Sequence, residues 1–201
     1  MSQFLHLLAR HLQGVCQLSD EQSAALEDHY ELLVRWNRRM NLTSVEDPEE
    51  LVVFHYGESL FLACQLPPGA CSVADIGSGP GFPGIPVGVQ RPDCRVTLVE
   101  SNSRKCVFLR EATRNFSNMT VEEGRVESLA GHYDWVVSRA VNWEALVPEI
   151  KRLGRSVALL LGESDAGRLR SEKGVAWRKT VKIPWGKHRV LLIGDVPRET
   201  A

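Results

Sequence analysis

The sequence predicts an α/β fold: a mostly parallel sheet wound with crossover helices, preceded by a helical cap and finished by an antiparallel hairpin. Three observations lead there. From Ser72 onward, short apolar runs alternate with helical stretches, the pattern of strands joined by crossovers. The first 65 residues instead repeat apolar side chains at helical spacing. Near the C-terminus, two strand-like segments flank Pro184-Trp185-Gly186-Lys187, as in a hairpin.

Taken in order, Ser19 and Gln22 make a capping box that opens a helix carrying Leu26, Tyr30, Leu33 and Trp36. A second start lies at Asp47-Pro48-Glu49-Glu50, with an Asp cap and Pro in the first turn. Its helix aligns Leu51, His55, Ser59 and Leu62 and stops at Pro67-Pro68-Gly69. Strands are expected at 73–76, 96–100, 120–122, 135–138 and 157–161, and helices at about 84–90, 102–116 and 143–153. The hairpin takes 177–183 and 189–193. We therefore expect one domain over 1–201, with residues 1–65 as cap and 72–201 as a Rossmann-like core.

With 43% hydrophobic and 24% charged residues, the chain can build a core and is not disordered throughout. It has no apolar run of membrane-spanning length and no signal-like start, so a soluble cytoplasmic protein is expected. Cys16, Cys64, Cys71, Cys94 and Cys106 show no metal-binding or disulfide pattern, and no metal is expected. The net charge of −1 hides an asymmetry: residues 1–150 carry −8 and residues 151–201 carry +7. The basic tail is either a face for phosphates or a set of scattered surface charges.

The richest stretch is Val73-Ala74-Asp75-Ile76-Gly77-Ser78-Gly79-Pro80-Gly81-Phe82-Pro83-Gly84, which runs from a strand through glycines into a helix. Glycines admit a close ligand, and a helix start offers N–H groups, so a polar or anionic ligand is expected. Glu100 ends the next strand, where a carboxylate can accept from a ribose diol. Gly79 to Gly84 satisfies the dinucleotide pattern GxGxxG, but four residues separate its first glycine from Ala74 and no second substrate half follows. The frame Asp75-x-Gly77-x-Gly79-x-Gly81 instead resembles the first motif of class I S-adenosylmethionine methyltransferases. Nicotinamide binding and a ligand-free turn are the alternatives.

The resemblance extends to one family. Asn41-Leu42-Thr43-Ser44, Asp47-Pro48, His55, the Gly-Pro-Gly-Phe-Pro-Gly-Ile-Pro run, Arg91-Pro92-Asp93, Phe108-Leu109-Arg110, Arg125-Val126-Glu127 and Ser138-Arg139-Ala140 together resemble the RsmG (GidB) family over roughly residues 30–195. That family makes 7-methylguanosine in bacterial 16S ribosomal RNA. The resemblance implies a class I methyltransferase sheet, S-adenosylmethionine as cofactor, and 16S rRNA or the small ribosomal subunit as partner. It implies a cofactor site of Asp75, Gly77, Gly79, Gly81, Phe82 and Glu100, with Val126 and Glu127 framing the adenine and Arg139 at the edge shared with substrate. RNA contacts are expected at His55, Arg104, Lys105, Arg139, Lys187 and Arg189. His55 also reads as a structural histidine, and Arg104 and Lys105 as a solvated helix start.

Guanine N7 carries a lone pair and no proton, so its methylation needs orientation rather than a general base. No catalytic acid or base is therefore expected. The Asn/Asp-Pro-Pro-aromatic motif for exocyclic amines and the Pro-Cys dipeptide for cytosine C5 are both absent. The chain departs from the family pattern at Phe54 (usually Arg), Glu58 (Asp), Leu161 (Lys) and the inverted pair His188-Arg189.

Overall fold

The computed structural model describes residues 2–139 and 142–197. Seven strands form its sheet: β1 (Ser72–Ile76), β2 (Arg95–Glu100), β3 (Met119–Glu123), β4 (Tyr133–Arg139), β5 (Gly154–Gly162), β6 (Ala176–Lys182) and β7 (Arg189–Asp195). Their order is β3-β2-β1-β4-β5-β7-β6, with β1 to β5 parallel and β7 antiparallel to both its neighbours. The expected hairpin forms, and its second strand is the one that joins the parallel sheet.

Side-chain alternation assigns the two faces. In β5, Ala158 and Leu160 face the layer built by the cap, α5 (Gly84–Gln90) and α6 (Ser103–Thr113). Val157, Leu159 and Leu161 face α7 (Trp143–Leu153) and α8 (Glu163–Leu169) on the other side. Leu161 is therefore core where a basic residue was the family expectation. Helix α8 was not anticipated, because its seven residues bury only Ala166 and Leu169, too little for a visible period.

The cap comprises α1 (Gln3–Leu12), α2 (Asp20–Met40), α3 (Pro48–Leu51), a π-helical turn at Val52–Gly57 and α4 (Glu58–Gln65). The Ser19 capping box is present in full. The Gln22 amide also donates to the Val89 and Gln90 carbonyls, so one side chain ties the start of α2 to the end of α5. Asp47 accepts from Glu50 N–H at 2.8 Å, as expected of a cap, and the Leu51, His55, Ser59, Leu62 stripe is buried. The π turn was not expected. There the Val53 carbonyl accepts from Glu58 N–H five residues on, widening the helix where it faces the end of β4.

Candidate functional site

Register brings the predicted residues to one edge of the sheet. Ile76 pairs with Val99 on one side and Ser138 on the other, so the carboxyl ends of β1, β2 and β4 are level. The strand order reverses between β1 and β4, where open α/β sheets hold their ligands. Ser138 Oγ donates to the Ile76 carbonyl at 2.7 Å and fastens the two ends.

The glycine loop engages its own N–H groups. Those of Gly77 and Ser78 reach the Val99 carbonyl, that of Gly79 reaches Glu100 Oε2 at 2.9 Å, and those of Gly81 and Phe82 reach the Ser78 carbonyl. Gly84 N–H donates to Asp75 Oδ2 at 2.9 Å. Of the polar or anionic ligands expected from the sequence, a pyrophosphate is disfavoured, because these N–H groups are already engaged. What it offers a ligand is the open approach over Gly79, whose φ of +56° suits glycine and whose absent Cβ would meet nothing nearer than 3.9 Å. Beside it stands Glu100, 8% exposed, whose oxygens each accept one N–H, from Gly79 and from Asn102. Each oxygen keeps a lone pair for a ribose hydroxyl. The Glu100 carboxylate beside an open glycine suits the ribose diol of S-adenosylmethionine.

Three of the expected cofactor residues are buried by contacts within the protein. Asp75 is fully buried beneath the loop, and burial raises its pKa to about 7 against the opposing hydrogen bond from Gly84. Its Oδ1 has no partner, so the group acts as a strut under α5. Gly81 sits over α5, where a Cβ would fall 2.3 Å from Ile85 Cδ1. Phe82 is buried among cap aromatics, stacked on His55 at 4.7 Å and edge-on to His29 and Tyr56. Its ring packs at the interface with the cap. Val126 and Glu127 fall in a 3-10 turn, Val126–Ser128, separated from β3 by Arg125 and by Gly124, whose N–H bonds the Glu100 carbonyl.

Arg139 reaches from the end of β4 into the cap. Its Nη1 donates to the Phe54 carbonyl at 2.8 Å and to His55 Nδ1 at 2.6 Å, with the guanidinium 5.4 Å from the Phe82 ring centre. Its hydrogen bonds therefore lie with the cap rather than the glycine loop. Burial lowers its pKa to about 10, so it stays charged at neutral pH. His55 is 6% exposed and is pushed down to about 2, by burial first and then by the Arg139 charge. Thr43 Oγ1 meets the other ring nitrogen at 2.7 Å. Ala140 of the Ser138-Arg139-Ala140 run lies outside the described residues.

Sequence reasoning missed His29, which bonds the Pro80 carbonyl through Nε2 at 3.0 Å and the Tyr56 hydroxyl through Nδ1 at 2.8 Å. Its signal was a histidine on the apolar stripe between Leu26 and Leu33. Glu58 was singled out only as a departure from the family pattern. It is fully buried and accepts from Arg189 Nε at 2.9 Å and Nη2 at 2.7 Å. Arg189, expected at the RNA, is thus anchored to the cap through Glu58. His188 is exposed and pairs with Glu163, Lys187 is exposed in the hairpin turn, and Arg104 and Lys105 open α6 behind an Asn102 cap. No helix of the described residues is long and apolar enough to cross a membrane.

Residues 22–161 match the family model described as rRNA small subunit methyltransferase G. A protein of Xanthomonas axonopodis pv. citri with that same name is 46% identical over 124 residues, 60% of this chain and 58% of that protein. Its namesake from Stenotrophomonas maltophilia is 43% identical over 136 residues, 65% of this chain and 63% of that protein. The matched region spans about three fifths of these relatives. In fold, the chain is similar to a methyltransferase from Pyrococcus furiosus (TM-score 0.63, 18% identity, 88% of this chain, 98% of that one). It is likewise similar to a SAM-dependent methyltransferase from Aquifex aeolicus (TM-score 0.62, 14% identity, 78% and 97%). By the extent of the family match, which includes the glycine loop, Glu100 and Arg139, this chain belongs to the rRNA small subunit methyltransferase G family.

Proposed function

We propose that this chain is a cytoplasmic, S-adenosylmethionine-dependent methyltransferase that converts a guanosine of 16S ribosomal RNA to 7-methylguanosine, with cap and core working as one unit. The observation that carries the reading is the glycine loop. Its N–H groups are internally bonded and Glu100 stands beside it, which disfavours a pyrophosphate ligand and suits a cationic nucleoside. Family membership supplies the RNA substrate class. Gly77, Gly79 and Glu100 would hold the cofactor, with Val126 and Glu127 beside the adenine; the cofactor supplies an activated methyl group. Arg139 and His55 hold the opposite wall of the cleft, where the guanine is to be oriented. No residue needs to take a proton, because N7 has none to lose.

The test is nucleoside mass mapping of 16S rRNA from cells with and without the gene, alongside calorimetry with S-adenosylhomocysteine and with NAD. One guanosine losing its N7 methyl group, with binding of S-adenosylhomocysteine alone, is the expected result. Binding of NAD would make the chain an oxidoreductase, and RNA binding without either ligand would make it a non-catalytic module.

A further inference from the structure

The charge asymmetry of the sequence points to the C-terminal quarter, but part of that charge is engaged in ion pairs. Arg152, Arg155, Arg168, Arg178, Lys182 and Arg189 each have an acidic partner. Arg35, Arg38 and Arg39, on the last turns of α2, are exposed and have no ion pair among the described residues. Half of the tail's twelve cations are paired in this way, while the three arginines of α2 are exposed together on one helix face.

They also border a series of three cavities that share lining residues. A cavity of about 540 Å³ is lined by Arg35, Trp36, Arg38, Arg39 and Met40. Arg38 is shared with a second, of about 610 Å³, whose lining includes Asn37, Asn41, Ser44 and the carboxylate of Glu46. Thr43, Ser44 and Val45 are shared in turn with a third, of about 350 Å³, which reaches Pro80 of the glycine loop and Arg139. Asn37 fixes the corner by bonding both the N–H and the carbonyl of Thr43, at 2.9 and 3.1 Å. Trp36 is half-buried, edge-on to Phe108 at 5.6 Å, and lines the first cavity beside the arginines.

We propose that this series of cavities is a track for single-stranded RNA, with Arg35, Arg38 and Arg39 on its phosphates and the strand led past Thr43 to the Arg139 end. The chemistry is that of sequence-tolerant single-strand binding: clustered guanidinium groups for the backbone, an aromatic edge for a base, and amide side chains along the floor. The inference rests on the methyltransferase reading for the identity of the far end.

The test uses the full chain, a labelled single-stranded oligoribonucleotide of mixed sequence and its duplex, titrated at several salt concentrations. Each phosphate contact contributes a log-log salt slope of about −0.7 on a single strand. Combined Arg35→Ala, Arg38→Ala and Arg39→Ala should flatten the slope by about two units and weaken binding at least about tenfold. Affinity for S-adenosylhomocysteine should be unchanged, which also verifies folding. Lys151→Ala with Lys173→Ala, both exposed on the α7 and α8 side, should leave slope and affinity as they are. An unaltered slope in the triple variant, an equal loss in the lysine variant, or equally tight duplex binding would overturn the track. Methylation of RNA by the triple variant at the native KM would overturn it too, while leaving the methyltransferase reading intact. Arginine-dependent RNA binding by a chain that ignores S-adenosylhomocysteine would do the reverse.

Discussion

Arg139 donates from Nη1 to Nδ1 of His55 at 2.6 Å, which fixes the protonation of both. A guanidinium has only donors, so Nδ1 must be the acceptor and the ring proton must sit on Nε2, facing Thr43 Oγ1. Nitrogen-detected NMR should therefore show His55 as the neutral Nε2–H tautomer throughout the mildly acid range. Arg139→Ala removes the donor and the adjacent charge, and the His55 titration should move up toward its ordinary 6.5. Because Arg139 holds Phe54 and His55 at the end of the cleft where the guanine is to be oriented, this variant should lose at least about tenfold in methyl transfer at saturating cofactor. A wild-type His55 that titrates near 6.5 would contradict the arrangement.

Glu100 clamps the loop as well as facing the cleft. Glu100→Ala releases the N–H groups of Gly79 and Asn102, and Glu100→Gln sets an amide NH₂ against one of them. Each lost or mismatched bond costs about 1 to 3 kcal/mol. Both variants should fall in melting temperature and lose about tenfold or more in affinity for S-adenosylhomocysteine. Calorimetry that finds native affinity in either one would dissociate the carboxylate from the ligand.

Stability should depend on pH through three buried groups. His29 and His55 titrate at about 4 and about 2 when folded, against 6.5 unfolded, so their contribution is complete above 6.5 and declines as pH falls. Asp75 works the other way: raised from 3.8 to about 7, it favours the fold below 3.8 and loses that contribution as pH rises toward 7. Between about 4 and 6.5, unfolding takes up two protons and releases one, so these groups make stability rise by about 1.4 kcal/mol per pH unit. Asp75→Asn should roughly double that slope in urea titrations. An unchanged slope would mean that Asp75 is ionised in the fold.

The Glu58–Arg189 pair is asymmetric, since the carboxylate is fully buried and the arginine side chain is 26% exposed. Arg189→Ala strands a buried charge, and about 3 kcal/mol should be lost. Adding Glu58→Gln should recover part of it, because the stranded charge disappears. Urea midpoints of the single and double variants measure this directly; a double variant less stable than Arg189→Ala would refute it.

Much of this was legible in the sequence because it is local. The capping box at Ser19, the Asp47 start and the strand-to-loop passage at Val73–Gly84 depend on neighbours a few residues apart, and each stands where its residues placed it. The departures arose where partners are distant. Nothing in Gly79-Pro80-Gly81-Phe82 says that Val99 and Glu100 take the loop's N–H groups, or that Phe82 turns toward His55. The partner of Arg189 was hidden for the same reason: it answers Glu58, 131 positions earlier. The family departures Glu58 and Arg189 make sense only as a pair.

The placement of β7 between β5 and β6 also bears on how the chain is made. During synthesis β5 emerges with Ala158, Leu159, Leu160 and Leu161 along a bare edge, and nothing covers it until β7 follows. An apolar strand waiting for its neighbour is a template for another chain. Ribosome-bound intermediates that end between the two strands should accordingly depend on chaperones, and that dependence should vanish once Arg189–Asp195 has left the exit tunnel.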